Sequence, residues 1–132
     1  MSNWRKVALE FFPDRRFQNS QDYFSVYMIW FDLLPSTVSA HELNDTDTLQ
    51  KIYKYAEWCW TQKGKSSETY NAVCVAFYEH LVDEEVTCEA IPVWIKPEIF
   101  KDLQSLFKSR MKLDDYQDLL VRYNLANQTD FN

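Results

Sequence analysis

The sequence predicts an all-α fold of about six antiparallel helices in one compact domain. Apolar residues recur at helical spacing along most of the 132 residues, and Gly64 is the only glycine. The tight turns of β-rich folds use glycine for positive φ angles, so its scarcity argues against a β architecture. Hydrophobic residues make up 46% of the chain, which is enough apolar material for a core without metal or disulfide support. Short connections predict that neighbouring helices pack antiparallel.

The first two helices are predicted from apolar periodicity that ends at a proline. In the first helix, four apolar residues lie one turn apart ahead of Pro13: Trp4, Val7, Ala8 and Phe11. The second is predicted from about residue 21 to residue 34, and Pro35 closes it because proline removes a helical hydrogen bond. The polar residues 36–47 are then expected to form a link.

The third and fourth helices are predicted to be joined by a turn at Gly64. Asp47 begins the third helix, and Gly64 takes the left-handed position after its last residue. Ser66 or Ser67 caps the fourth helix, since a serine hydroxyl accepts a hydrogen bond from a free backbone N–H there. This helix is predicted to continue to Leu81 and to form the centre of the fold.

Two further helices are predicted after an acidic link at residues 83–89. The apolar stretch that follows the link contains Pro92, which argues against its being helical. Pro97 suits the first turn of the fifth helix, and Asp114 can cap the sixth. The polar residues 124–132 are expected to fray.

The composition excludes several classes of function. One glycine cannot supply a phosphate-binding loop, a dinucleotide fingerprint or a nucleophile elbow. Three cysteines, at 59, 74 and 88, have no zinc-knuckle or redox spacing and are interpreted as structural thiols. There is neither an apolar signal core nor an apolar run near the roughly 20 residues of a membrane span, so we expect a cytoplasmic protein.

No catalytic constellation stands out, and we expect no catalytic residue, cofactor or metal site. His41 is interpreted as a solvated link residue. His80 lies near the end of a predicted helix, where the helix dipole favours it. Glu57 and Glu79 can form a carboxylate pair on adjacent helices, but two acids do not specify a reaction. A metal-dependent enzyme using Glu57, Glu79 and His80 is therefore kept as the third alternative.

The charge is segregated along the chain, which has a net charge of −6. Residues 17–50 and 66–95 contain acids but no Lys or Arg, whereas the bases concentrate in 51–65 and 96–112. If the acidic links converge, they form a negative surface that repels nucleic-acid phosphate and anionic lipid. We therefore expect a basic protein partner, and neither nucleic acid nor a membrane. The alternative is that the acids serve solubility alone.

Several core motifs carry a resemblance that spans residues 7–123. They are Ala8–Pro13, Ile52–Cys59, Val73–Leu81 and Ile91–Ile95. With these motifs the chain resembles a family of small helical bacterial proteins of unassigned function. Small acidic proteins of this kind are similar to immunity proteins of bacterial toxin systems, including contact-dependent growth inhibition. The resemblance implies that the protein binds a cognate toxin domain, often a basic nuclease, and blocks its active site.

If that role holds, the acidic residues contact the basic substrate groove of the toxin in place of phosphates. The candidate partner-binding residues are Asp45, Asp47, Asp83, Glu84, Glu85, Glu89, Asp114, Asp115 and Asp118. The leading alternative is a helical adaptor that binds another cytoplasmic protein, with no toxin involved.

Overall fold

The computed structural model describes residues 3–15 and 25–132, and within these ranges it contains helices and no strands. The all-α class is thus confirmed, with seven α-helices in the described ranges in place of about six. They are α1 (Asn3–Phe11), α2 (Val26–Glu42), α3 (Thr46–Trp60), α4 (Ser67–Ala76), α5 (Glu85–Trp94), α6 (Pro97–Arg110) and α7 (Leu113–Asn127). Two 3₁₀-helices, Thr61–Gly64 and Tyr78–Asp83, follow α3 and α4.

The chain divides into two compact units, residues 1–77 and residues 78–132. The N-terminal unit contains α1 to α4, and the C-terminal unit contains α5 to α7 together with the second 3₁₀-helix. The single domain predicted from the sequence stays a prediction.

An aromatic cluster forms the core of the N-terminal unit. The fully buried Trp30 ring on α2 packs against Tyr55 at 5.4 Å and Phe77 at 4.6 Å between ring centroids. The Tyr55 hydroxyl donates a hydrogen bond of 2.9 Å to the Trp4 carbonyl, which connects α3 to α1. The large rings therefore fill the core, and one of their polar groups ties two helices together.

Helix α2 continues through Pro35 to Glu42, so the predicted end at Pro35 and the predicted polar link are wrong. Leu33, Thr37 and Ala40 share one face of α2 and are buried on both sides of the proline. The Thr37 hydroxyl donates to the Leu33 carbonyl at 2.8 Å and is thereby satisfied inside the core. Burial of this face outweighs the proline penalty of about 3 kcal/mol. The predicted start near residue 21 lies outside the described residues.

The left-handed backbone conformation occurs at Asn44, in the turn between α2 and α3. The sequence predicted it at Gly64, after α3. Asn44 has a φ of 54° and ends α2, while Gly64 has no positive φ and lies within the first 3₁₀-helix. Asp45, and not Asp47, caps α3: its side chain accepts the Thr48 N–H at 3.3 Å. The left-handed position predicted for Gly64 is therefore wrong.

The fourth helix begins as predicted and ends early. The Ser66 hydroxyl accepts the Thr69 N–H at 3.3 Å, which confirms the serine cap. The backbone leaves α-helical geometry at Phe77, and residues 78–83 form a 3₁₀-helix in place of the predicted continuation to Leu81. Three residues per turn place both Tyr78 and Leu81, three apart, in buried positions.

Helix α5 occupies most of the segment that the sequence assigned to an acidic link at 83–89 and a non-helical stretch around Pro92. The buried Thr87 hydroxyl donates to the Leu81 and Glu84 carbonyls and so anchors the start of the helix. Ile91 and Pro92 are themselves buried. Packing again decides that a proline is accommodated within a helix.

Helices α6 and α7 pack antiparallel in the C-terminal unit. The Phe100 ring stacks on Tyr123 with centroids 3.8 Å apart, and the Gln104 amide donates to the Tyr116 hydroxyl at 3.1 Å. The Tyr123 hydroxyl in turn donates to the Ile95 carbonyl at 2.6 Å. Pro97 begins α6, as the sequence predicts.

The last residues are packed, although the sequence predicts that 124–132 fray. Gln128 ends α7 in the left-handed conformation with a φ of 55°. The Asn124 side chain donates to the Phe131 carbonyl at 2.9 Å and accepts the Phe131 N–H at 3.0 Å. The Phe131 ring lies 5.9 Å from Phe100. One asparagine thus holds the chain end against the core.

Candidate functional site

The candidate site is an open groove of about 670 Å³ between α5 and α7 in the C-terminal unit. We call it the acidic groove. It is lined by Val82, Glu85, Cys88, Glu89, Met111, Asp115, Asp118 and Arg122. Its four carboxylate residues are exposed, so their charges face solvent.

Helical spacing explains how these side chains meet. Glu85 and Glu89 lie one turn apart on α5 and therefore share a face. Asp115, Asp118 and Arg122 follow the same rule on α7, at intervals of three and four residues. Each helix contributes two carboxylates to one groove.

The two helices run in the same direction along the groove. The Asn127 amide near the end of α7 donates to the Pro92 carbonyl near the end of α5 at 2.9 Å. Glu85 and Asp115, near the starts of the same helices, line the same groove. Helix α6 makes this parallel arrangement possible because it returns the chain between them.

Among the described residues that line the acidic groove, Arg122 is the one cationic side chain. The Arg122 guanidinium donates to the Asp118 carboxylate at 3.0 Å, and both side chains are more than a third exposed. Burial raises the pKa of the neighbouring Cys88 thiol, and Arg122 opposes part of that rise. Cys88 is therefore a neutral thiol at pH 7 and a poor nucleophile. Four carboxylates against one guanidinium leave the groove negative.

The structure brings together some of the acids singled out from the sequence. Four of the nine line the acidic groove: Glu85, Glu89, Asp115 and Asp118. Glu84 and Asp114 are exposed in the same unit but are not among the lining residues. Asp45 and Asp47 are exposed at the start of α3 in the N-terminal unit, where Asp45 serves as a cap.

Asp83 is the exception, because its charge is balanced within the unit. Arg110 donates two hydrogen bonds of 2.7 Å to its carboxylate, and His80 Nδ1 lies 2.8 Å from Oδ2. The Arg110 guanidinium holds the pKa of Asp83 below its usual range. This pairing makes Asp83 a weaker candidate for partner binding than the groove residues.

The same contacts bear on the alternative of a metal enzyme. His80 Nδ1 contacts both Asp83 and Arg110 Nη2, the latter at 3.0 Å, so it can donate to the first or accept from the second. Glu57 lies on α3 in the N-terminal unit, and Glu79 lies beside His80 in the C-terminal unit. In the described ranges no three His, Cys, Asp or Glu side chains are grouped so that they could hold a metal ion.

Sequence reasoning did not identify Arg122, Cys88, Met111 and Val82 as groove residues. The available signal was the four-residue interval between Glu85 and Glu89, matched by the intervals on α7. That signal has meaning only for helices, and Pro92 suggested that the first segment was not one.

The fold and the groove define an all-helical protein with a negatively charged groove on one unit. The chain belongs to the family described as Domain of unknown function (DUF7674), whose model matches residues 5–111. The match contains α5 and ends before α7, so two of the four groove carboxylates, Asp115 and Asp118, lie outside it together with Arg122. No curated protein and no solved structure matches the chain. None of the helices in the described part is long and apolar enough to cross a membrane.

Proposed function

We propose that the protein is an immunity protein that binds a cognate bacterial toxin domain and covers its basic active site with the acidic groove. The observation that carries this proposal is the convergence of four carboxylates from α5 and α7 on one groove. The identification of the partner as a toxin rests on the resemblance of the chain to small acidic immunity proteins. The groove itself supports a positively charged partner.

Electrostatics explains what such a groove contributes to binding. Each exposed ion pair is worth only about 0–1 kcal/mol, so no single carboxylate carries the affinity. Several like charges on one surface create a field that steers a basic partner and raises its association rate. A nuclease binds phosphates through Lys and Arg, and the carboxylates of Glu85, Glu89, Asp115 and Asp118 offer those groups an alternative ligand.

A growth assay tests the proposal. The chain is co-expressed with the toxin domain encoded next to its gene, and growth and complex formation are measured. We expect the wild-type chain to restore growth. The charge reversal Glu85→Lys with Glu89→Lys should abolish rescue, because the lysines repel the basic site. The matched control Glu84→Lys with Asp114→Lys reverses two exposed acids outside the groove and should retain rescue.

The outcomes separate the two parts of the proposal. If the wild-type chain neither restores growth nor forms a complex, the immunity function is contradicted. If both charge-reversed proteins protect as well as the wild type, immunity stands and the acidic groove is not the contact surface. Circular dichroism of both proteins checks that they are folded.

A second candidate, a helical adaptor, is favoured by exposed apolar side chains on the C-terminal unit. Val93 is 79% exposed at the end of α5, and Val121 and Leu125, one turn apart on α7, are 59% and 77% exposed. Val121 and Leu125 share one face of α7, and neighbouring exposed apolar residues mark protein-binding surfaces. An adaptor predicts a complex with a non-toxic partner that Val121→Ser with Leu125→Ser disrupts, while growth in the toxin assay is unchanged by the same substitutions.

A further inference from the structure

A second cavity, of about 340 Å³, lies in the N-terminal unit and shares no residue with the acidic groove. It is bounded by α1, the end of α3, the first 3₁₀-helix and the start of α4. We call it the indole pocket. Its lining residues are Asn3, Trp4, Trp58, Gln62, Lys65, Ser66, Glu68 and Thr69.

Gln62 provides a hydrogen-bond acceptor in this pocket. Its side chain is 9% exposed, and its amide nitrogen donates to the Thr61 hydroxyl at 3.1 Å and, more weakly, to the Trp58 carbonyl at 3.4 Å. No described residue donates to its carbonyl oxygen Oε1. Oε1 is not among the fully buried side-chain atoms that lack a partner, so it is open to solvent and can accept a ligand N–H.

Two tryptophans line the pocket with rings that are already held in place. The Trp58 indole stacks on Tyr55 at 6.1 Å with an interplanar angle of 13°. The Arg5 guanidinium lies 5.0 Å from the centre of the Trp4 ring, so a guanidinium–indole contact already exists beside the pocket. Tryptophan is the side chain that attracts cations most strongly through its ring, and arginine is its most frequent partner.

The polar rim is divided between one acid and one base. Glu68 in the first turn of α4 and Lys65 before it are both exposed. The Ser66 and Thr69 hydroxyls hydrogen-bond each other at 2.9 Å and serve the cap of α4. Acceptors for a ligand are therefore Gln62 Oε1 and the Glu68 carboxylate. The Lys65 ammonium and the Arg5 guanidinium over Trp4 are the positive charges that a cationic ligand must avoid.

We propose that the indole pocket binds the guanidinium of an arginine side chain presented by a peptide. The guanidinium packs against the indoles, donates one N–H to Gln62 Oε1 and donates another to the Glu68 carboxylate. It suits the pocket because it is planar, carries five donors and is weakly hydrated, whereas an ammonium is strongly hydrated and cannot stack. This site goes beyond the proposed function and does not depend on it.

Three capped peptides test the ligand chemistry with the full-length chain. They are acetyl-Gly-Arg-Gly-amide, the same peptide with lysine, and the same peptide with citrulline, which keeps the shape without the charge. Each is titrated while the indole N–H signals of Trp4 and Trp58 are followed by NMR. We expect the arginine peptide to bind in the millimolar range, as suits one side chain, and at least about tenfold more tightly than the others. Equal binding of all three peptides, or no binding of the arginine peptide, would overturn the proposal.

Rim substitutions test the sign of the ligand charge. Glu68→Gln should weaken arginine-peptide binding about threefold, and Lys65→Met should strengthen it about twofold, since each removes one exposed charge. The reverse pattern would identify an anion site and overturn the proposal, as would no change in either protein. Asp47→Asn, an exposed acid of the same unit outside the pocket, is the matched control and should leave binding unchanged.

The acceptor is tested at Gln62. Gln62→Leu should weaken arginine-peptide binding about tenfold, because the hydrogen bond to Oε1 is lost. If thermal unfolding shows that this protein is not folded, Gln62→Glu replaces it and should tighten binding by adding a charge. Wild-type affinity in a folded Gln62→Leu protein, or unimproved affinity in the Gln62→Glu protein, would contradict the role given to Gln62.

Discussion

Both units join separate segments by hydrogen bonds from tyrosine hydroxyls and by ion pairs, and these two kinds of tie respond differently to salt. In the N-terminal unit, buried ring hydroxyls make the ties: Tyr55 donates to the Trp4 carbonyl, and Tyr53 is hydrogen-bonded to His41 at 2.8 Å. In the C-terminal unit, the Tyr123 hydroxyl likewise donates to the Ile95 carbonyl. There the ion pair of Arg110 and Asp83, whose side chains are 35% and 37% exposed, joins two further segments. Buried hydrogen bonds are little affected by salt, whereas exposed ion pairs are screened over roughly 10 Å at 0.1 M salt.

The two cavities repeat this contrast. The indole pocket offers rings and a neutral buried amide, and the acidic groove offers solvated carboxylates. Both favour a positive charge, but through different physics. Binding at the acidic groove should therefore fall with salt concentration, and binding at the indole pocket should depend on it less.

The largest expected effect tests the aromatic core of the N-terminal unit. Trp30→Ala should lower the free energy of unfolding by about 3–5 kcal/mol, because a fully buried ring is replaced by a cavity. Urea unfolding followed by circular dichroism measures it. Phe31→Ala is the matched control: the neighbouring ring is 70% exposed and its removal should cost little. Equal losses at the two positions would contradict the assignment of Trp30 to the core.

A smaller effect is expected at Asn124 in the C-terminal unit, whose hydrogen bonds to the Phe131 backbone are partly buried. Asn124→Ala removes the hydrogen bonds that hold Phe131 and should lower the free energy of unfolding by about 1–2 kcal/mol. Hydrogen exchange of the Phe131 N–H should accelerate as well. Asp130→Ala changes an exposed side chain of the same segment and serves as the control. Unchanged exchange in Asn124→Ala would show that the asparagine does not hold the tail.

The pH dependence of stability distinguishes the two kinds of tie. Burial lowers the pKa of His41, so the folded protein favours its neutral ring. Stability from this group is therefore complete above the ordinary histidine pKa of about 6.5 and is lost as the pH falls below it. The free energy of unfolding, measured with urea, should change less between pH 7 and pH 5 in His41→Gln than in the wild type. An equal change in both proteins would contradict this.

The smallest effect is expected at the exposed pair of Asp83 and Arg110. Because Arg110 lowers the pKa of Asp83, the contribution is present above the ordinary aspartate pKa and is lost as the pH falls through the lowered value. Asp83→Asn should cost only about 0.5 kcal/mol at low salt, and less in 0.5 M NaCl. Asp114→Asn, an exposed aspartate with no contact to Arg110, is the control. A loss that salt does not reduce would contradict the contrast between ion pairs and buried hydrogen bonds.

Much of the fold could be predicted locally. The serine cap at Ser66 and the proline that begins α6 are short-range signals, and the structure confirms both. The helices that contain Pro35 and Pro92 could not be predicted, since a proline within or after an apolar helical stretch locally indicates the end of that helix. The early end of α4 at Phe77 could not be predicted either. Apolar residues three positions apart fit one face of a 3₁₀-helix as well as one face of an α-helix.

The sequence predicted which acidic residues are candidates for the site, but it could not predict which of them lie together in the structure. Glu85, Glu89, Asp115 and Asp118 are acids that the sequence singled out, but so were five others. Which acids meet depends on the helical state of residues 85–94 and on the parallel course of α5 and α7. The indole pocket left no local signal at all, because Trp4 and Gln62 are far apart in the chain.

By itself, the sequence determined the all-α class and the starts of α4 and α6, since glycine scarcity, apolar spacing, the Ser66 cap and Pro97 act within a few residues of one another. The predicted cap at Asp114 is wrong, because α7 begins at Leu113 with Lys112 at the cap position. The tertiary structure decided that α2 and α5 pass through their prolines, that Asp83 is paired, and that four carboxylates meet in one groove. The physical reason is that burial and charge pairing depend on which distant residues become neighbours. Their combined energies exceed the local proline penalty of about 3 kcal/mol.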